Sequence, residues 1–161
     1  MRRILLSMLL AVSLVGFARA QEATGDKAEE VKGQILKLKQ EQDRAFDSTG
    51  TSNNYATDWA ERYEADGLVH MTERLRNKTE LLDELQNGKR KIITSKHYGH
   101  QFHVYGNGED GTTVIVTYFI DVTLELDGKR TTRHNFAVDT FVHQKGQWWC
   151  VVHSAHRLQE S

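Results

Sequence analysis

Asp139 is the side chain best placed to do chemistry in this chain, because the sequence sets it alone among apolar neighbours on one strand face. The placement follows from two turns. Asp127-Gly128 sits between alternating apolar runs, and a two-residue type I′ turn needs φ > 0 at both central positions, which Asp-Gly tolerates. Lys145-Gly146 is a weaker form of the same signal. Two-residue loops at both points give three consecutive antiparallel strands across Gly111 to Leu158, with Asp139 flanked by Val116 and Val152. Val114, Val116, Tyr118, Ile120, Arg133, Asn135, Ala137 and Phe141 share its face, joined by Trp148, Cys150, Ser154 and His156. A carboxyl group there loses hydration on three sides. Its pKa is expected to rise, and it could donate a hydrogen bond or shuttle a proton, unless Arg133 or a helix cation neutralises it. In that second case it is an ion pair that holds the fold.

Other residues join this site with two readings each. His70, on a short strand, could be a general base near neutral pH, or a half-buried imidazole bonded to backbone. The two form a candidate acid–base pair, Asp139 and His70. Arg133 and Asn135 could hold an acidic or carbonyl group of a ligand, or form a solvated strand end. Tyr118 lies one diagonal step from Asp139, and His156 falls near the rim. Tyr55, Trp59 and Tyr63 recur at helical spacing; this is the usual mark of core packing and could also make a platform for a flat ligand. His97, His100 and His103 would converge on a helix. On a strand, successive residues alternate faces, so His100 points away from the other two and no metal is expected. The same alternation puts His134 and His153 on the outer face. No glycine-rich phosphate loop and no serine nucleophile motif occurs, and no cofactor is expected.

Helices precede the strands that carry these groups. Val31, Ile35, Leu38 and Phe46 mark a helix over Glu29 to Phe46, and the polar run Ser48 to Asn54 breaks it. A second helix carries the aromatic stripe and ends at Asp66-Gly67, before the strand Leu68 to Met71. A third runs from Thr79 to Leu85 and stops at Asn87-Gly88. Another strand lies within Ile92 to Tyr105, starting near Tyr98. Helices first and an antiparallel meander after them give an α+β domain. The outer sheet face carries Ile115, Phe119, Phe136, Val138, Val142, Trp149 and Val151, and so large an apolar face predicts a homodimer through the sheet.

Met1-Arg2-Arg3, the apolar run Ile4 to Phe17 and Ala18-Arg19-Ala20 have the form of a signal peptide over residues 1–20. The run is short for a membrane span, so the expected protein is periplasmic or secreted, with no membrane contact after cleavage. Residues 21–28 are expected to be a flexible segment and 29–158 the domain. With a formal net charge of -1, nothing general attracts nucleic acid. The single cysteine, Cys150, has no internal partner and reads as a buried thiol.

Ala65-Asp66-Gly67-Leu68-Val69-His70, followed by Asn77-Lys78-Thr79-Glu80-Leu81-Leu82, resembles the helix–strand–helix segment of nuclear transport factor 2-like domains, in particular the SnoaL-like, ketosteroid isomerase-like group. Asp139-Thr140-Phe141-Val142 and Gly146-Gln147-Trp148 are similar to that group's terminal hairpin. The resemblance implies a cone-shaped, cystatin-like roll: three helices packed on a curved antiparallel sheet, with a pocket at the open end. It also implies the isomerase groups: an Asp base after the first strand, a Tyr on the first helix and a protonated Asp on the penultimate strand. Asp139 matches the last, but Thr72 stands at the base position and Glu29 to Phe46 contains no Tyr, so steroid isomerase chemistry is not expected. The expected function is binding of a small hydrophobic molecule or a partner in a small apolar pocket without catalysis. The alternative is an acid–base enzyme of isomerase, cyclase or dehydratase type acting on a carbonyl or polyketide-like substrate.

Overall fold

The computed structural model describes residues 22–46 and 54–158. Nine elements follow in order: α1 (Asp26–Phe46), α2 (Asn54–Tyr63), β1 (Glu64–Met71), β2 (Leu75–Arg76), α3 (Lys78–Gln86), β3 (Arg90–Tyr105), β4 (Thr113–Leu126), β5 (Lys129–Gln144) and β6 (Gln147–Arg157). The six strands form one curved sheet in the order β2-β1-β6-β5-β4-β3. It is mixed, not purely antiparallel, because β1 runs parallel to β6.

Both turns adopt the expected geometry. Asp127 and Gly128 have φ of 48° and 78°, and Lys145 and Gly146 have 55° and 74°. The β4–β5 ladder is therefore unbroken from Leu126 opposite Lys129 to Thr113 opposite Val142, with Val116 opposite Asp139 as the turn dictates. The β5–β6 ladder starts in the expected register, through Phe141 opposite Cys150, and then shifts by one residue. Val151 is the extra residue. A one-residue shift exchanges the two faces of a strand, so His153, not Val152, lies beside Asp139. A second shift, in β3 at Gly99 (φ 67°), turns His97 and His100 to the Tyr118 side and leaves His103 outside, bonded to Glu22 at 3.1 Å. The expected pairing of His97 with His103 on one face is corrected accordingly.

The helices cover the concave face. In α1 the buried stripe begins with Ala28, Val31 and Ile35 and continues along the same face as Lys39 and Gln42. The α3 helix starts with a capping box, in which Asn77 Oδ1 accepts from the Glu80 amide and the Asn77 amide donates to the Glu80 carboxylate, both at 2.9 Å. It buries Leu81 and Leu85. The core joins these residues to Val104, Val114, Val116, Tyr118, Leu124, Ala137, Phe141 and Cys150.

Three boundaries differ from the sequence reading. The α2 helix ends at Tyr63 and not at Asp66-Gly67, which falls in a break in the β1–β6 pairing between Glu64 and Val69. The β3 strand begins at Arg90, because the long hairpin with β4 pairs all the way to Leu126. The α1 helix begins at Asp26 and not at Glu29, and the chain ahead of it is paired with β3. Glu22 bridges Tyr105, the Ala23 amide donates to the Val104 carbonyl at 2.6 Å, and Ala28 is buried. Residues 1–20 lie outside the described residues.

Candidate functional site

Between the helices and the concave face lies a cavity of about 300 Å³. One wall is apolar: Phe46, Ala60, Leu81, Leu85, Ile92, Ile120, Val122 and Leu124. The remaining lining is far more polar than the sequence suggests, with four histidines (His70, His97, His153, His156), three arginines (Arg90, Arg133, Arg157) and two glutamates (Glu64, Glu73).

Asp139 lies beneath this cavity and does not line it. It is 1% exposed, and each carboxylate oxygen is occupied. Oδ2 accepts from Lys39 Nζ at 2.6 Å and from Tyr118 Oη at 3.0 Å. Oδ1 is bonded to His153 Nδ1 at 2.7 Å. Lys39, itself 1% exposed, also donates to Gln42 Oε1 at 2.5 Å and stands 4.1 Å over the Tyr118 ring. Burial alone would push the Asp139 carboxyl up. Its contacts with Lys39 and His153, and their hydrogen bonds, outweigh it and hold the group well below the usual carboxylate range. The expected rise is thus corrected: a helix cation neutralises Asp139, which is an anion and not a proton donor. Tyr118 goes the other way, pushed well above its ordinary value by burial and then by the adjacent Asp139 charge, so it is a neutral donor.

His153 carries this network to the cavity. With Nδ1 committed to Asp139, Nε2 is the nitrogen left for a ligand. His70, opposite it on β1, stacks on the ring with centroids 4.7 Å apart and 26° between planes. Burial, then the neighbouring His153, Arg90 and Arg76, lower the His70 pKa well below the ordinary histidine value, so His70 is neutral. His97 is bonded to Asp43 and is pushed down to about 4 by burial and then by Lys39, which makes it neutral too. Glu64 is raised to about 7, first by burial and then by the Asp139 charge. Its Oε2 and the His70 Nδ1 are buried without a hydrogen-bond partner.

In the same lining, Glu73 on the turn between β1 and β2 pairs with Arg133 and stands 3.7 Å from both Arg76 and Arg90. Arg76 is anchored by Glu84, whose two oxygens accept from its Nε at 3.0 Å.

Of the residues singled out from sequence, His70, Arg133, Asn135 and His156 line the cavity. Tyr118 and Trp59 do not. Tyr118 is fully buried under Lys39, and Trp59 packs in the core between Phe46 and Tyr63 at 5.8 and 5.5 Å. The Tyr55 side chain lies outside the described residues. His156 pairs with Phe136 after the Val151 shift, but it reaches the rim and bonds to Ser154 Oγ at 3.1 Å. His153, Glu64, Lys39 and Arg90 were missed. Lys39 had a signal, since it continues the α1 stripe at the spacing of a core residue. Among the described residues no group of three His, Cys, Asp or Glu side chains could hold a metal ion, and no helix is long and apolar enough to cross a membrane.

Three helices on a curved six-stranded sheet around a cavity define an α+β roll. Comparison with solved structures makes the class specific. A nuclear transport factor 2-like protein from Cytophaga hutchinsonii superposes with a TM-score of 0.66 at 14% identity, over 79% of this chain and 98% of that one. One from Rhodospirillum rubrum gives 0.59 at 21% identity, over 78% and 98%. A protein from Catenulispora acidiphila, solved in complex with S-DNPA, gives 0.58 at 11%, over 80% and 94%. The fold of this chain is nuclear transport factor 2-like. No family model and no curated protein matches the sequence.

Proposed function

We propose that the protein binds a small carbonyl compound in the cavity and moves a proton on it, with His153 as the acid–base group and Asp139 as the residue that positions it. The observation that carries this reading is the 2.7 Å contact between Asp139 Oδ1 and His153 Nδ1, buried beneath a cavity that His153 lines. An aspartate so placed fixes ring orientation and tautomer and stabilises the imidazolium that forms when Nε2 takes a proton. The carbon acid loses its α-proton to His153 Nε2. Glu64, in its carboxylic acid form, gives its proton to the carbonyl oxygen, and the product is the enol. The pair read from sequence, Asp139 with His70, becomes Asp139 with His153, while His70 offers Nδ1 as a hydrogen-bonding group to the ligand.

The apolar wall of Phe46, Leu81, Leu85, Ile92, Val122 and Leu124 supports the second reading, binding of a small hydrophobic molecule without catalysis. Native mass spectrometry of the purified protein identifies what copurifies. Transfer of the complex to D₂O then separates the readings: proton transfer labels the α-carbon, and simple binding leaves it unlabelled. We also propose export with cleavage before Gln21, supported by the basic start, short apolar run and Ala18-Arg19-Ala20. Mature protein from the periplasm or medium should begin at Gln21, and a cytoplasmic protein retaining residues 1–20 would refute it.

A further inference from the structure

We propose that the ligand carries a carboxylate, and that this group takes over the role of Glu73 at the arginine cluster beside the cavity. The inference rests on the cavity being the ligand site and adds the chemical class that the arginines select. Glu73 is one carboxylate in reach of three guanidinium groups, those of Arg133, Arg76 and Arg90. The three cations are fixed and sheltered, with side chains 18%, 6% and 8% exposed, whereas the Glu73 side chain is 37% exposed. Arg76 is already held by Glu84. Arg133 is held differently: Glu73 meets its Nη1, and its Nε is buried with no hydrogen-bond partner.

A guanidinium binds a carboxylate best through two parallel N–H donors, and the Arg133 Nε–H, on the edge shared with Nη2 and away from the Nη1 that Glu73 meets, is an unused donor of such an edge on the cavity wall. Arg157 and Arg90 add positive charge to the same lining. Glu73 sits on the three-residue turn Thr72–Arg74, so it can leave the cluster without moving a helix or a strand from the sheet. A flat monoanion with an apolar tail would satisfy Arg133 through its Nε edge, take over from Glu73 the neutralisation of the cluster and lay its tail along Ile92, Val122 and Leu124.

Calorimetric titration of the whole protein with octanoate and octanamide tests this, because the two probes share a tail and differ in charge. The expected result is a preference for octanoate of about ten-fold or more, as for a charge-assisted bidentate contact. Glu73→Gln removes the internal competitor and should tighten octanoate several-fold without changing octanamide. Arg133→Gln should bring octanoate down to the level of octanamide, with Arg133→Lys in between. Equal binding of the two probes by the unmodified protein would overturn the proposal and needs no variant. So would octanoate binding unchanged by Glu73→Gln or Arg133→Gln. His153→Gln should leave the octanoate preference intact. Loss of the preference while α-deuteration persists removes only the carboxylate site. Absence of deuteration with the preference retained removes only the proton transfer.

Discussion

Lys39 explains why Asp139 is an anion, and the pair sets the consequences of changing either residue. Both side chains are 1% exposed and 2.6 Å apart. Removing one partner of such a pair leaves the other charged and unsolvated, which costs about 3–5 kcal/mol. Asp139→Asn is therefore expected to destabilise the fold by that order, read as a lower urea midpoint at unchanged slope. Replacing both, as Lys39→Met with Asp139→Leu, is expected to lose less stability than Asp139→Asn alone, because no buried charge is stranded. A double variant less stable than the single one would show that the two charges do not act as a pair.

Glu64 gives the second prediction at this scale. Its folded pKa of about 7 lies above the ordinary 4.5, so the folded state binds the proton more tightly than the unfolded chain. Its contribution is fully present below pH 4.5 and is lost as pH rises through 7. Glu64→Gln should therefore gain stability relative to the unmodified protein as pH rises from 5 to 8, by roughly 2.5 kcal/mol at 1.36 kcal/mol per pKa unit. Equal stability differences at both pH values would show that Glu64 is not buried as an acid.

Elements divide into those whose geometry is local and those whose geometry is not. Both hairpin turns were legible, since positive φ at two adjacent residues is a demand that Asp127-Gly128 and Lys145-Gly146 visibly meet. The β4–β5 register and the position of Asp139 followed from them. The shift at Val151 was not legible. It lies where β6 is paired on both edges, antiparallel to β5 and parallel to β1, and brings His153 opposite Asp139 on one side and His70 on the other. No residue type near Val151 marks that requirement, so His153 was assigned to the wrong face. Lys39 was legible in principle, as a charged residue in a core stripe; nothing in the sequence said which carboxylate it would meet.

Lys145 is the weaker of the two turn residues, a non-glycine at φ 55°. Left-handed backbone costs an L-residue about 1–2 kcal/mol, less for Asn. Lys145→Asn is expected to raise the melting temperature by a few degrees. An unchanged or lower midpoint would mean that the Lys145 amide bond to Asp110, 2.9 Å long, already sets the turn without strain.

The whole molecule presents a second apolar surface. Tyr98, Phe119 and Phe136 are 41%, 38% and 36% exposed and touch in series, with ring centroids 5.7 Å apart at each step. Together with Val69 and Met71 they are the exposed apolar side chains that the proposed homodimer through the outer sheet face would cover with a second copy. Light scattering at micromolar concentration should give twice the chain mass, and Phe119→Lys should shift it to monomer or aggregate. A monomeric unmodified protein would refute the sheet-to-sheet interface.

The cavity lies on the opposite side of that sheet, with His153 as its proposed proton-transferring group. The measurement that tests it most directly is the rate of deuterium incorporation at the α-carbon of the copurifying carbonyl compound in D₂O, compared between the unmodified protein and His153→Gln. The expected result is incorporation by the unmodified protein and a loss of about 10²-fold or more in the variant, the span of a general acid–base group. Equal rates in the two proteins, or no incorporation by either, would contradict it.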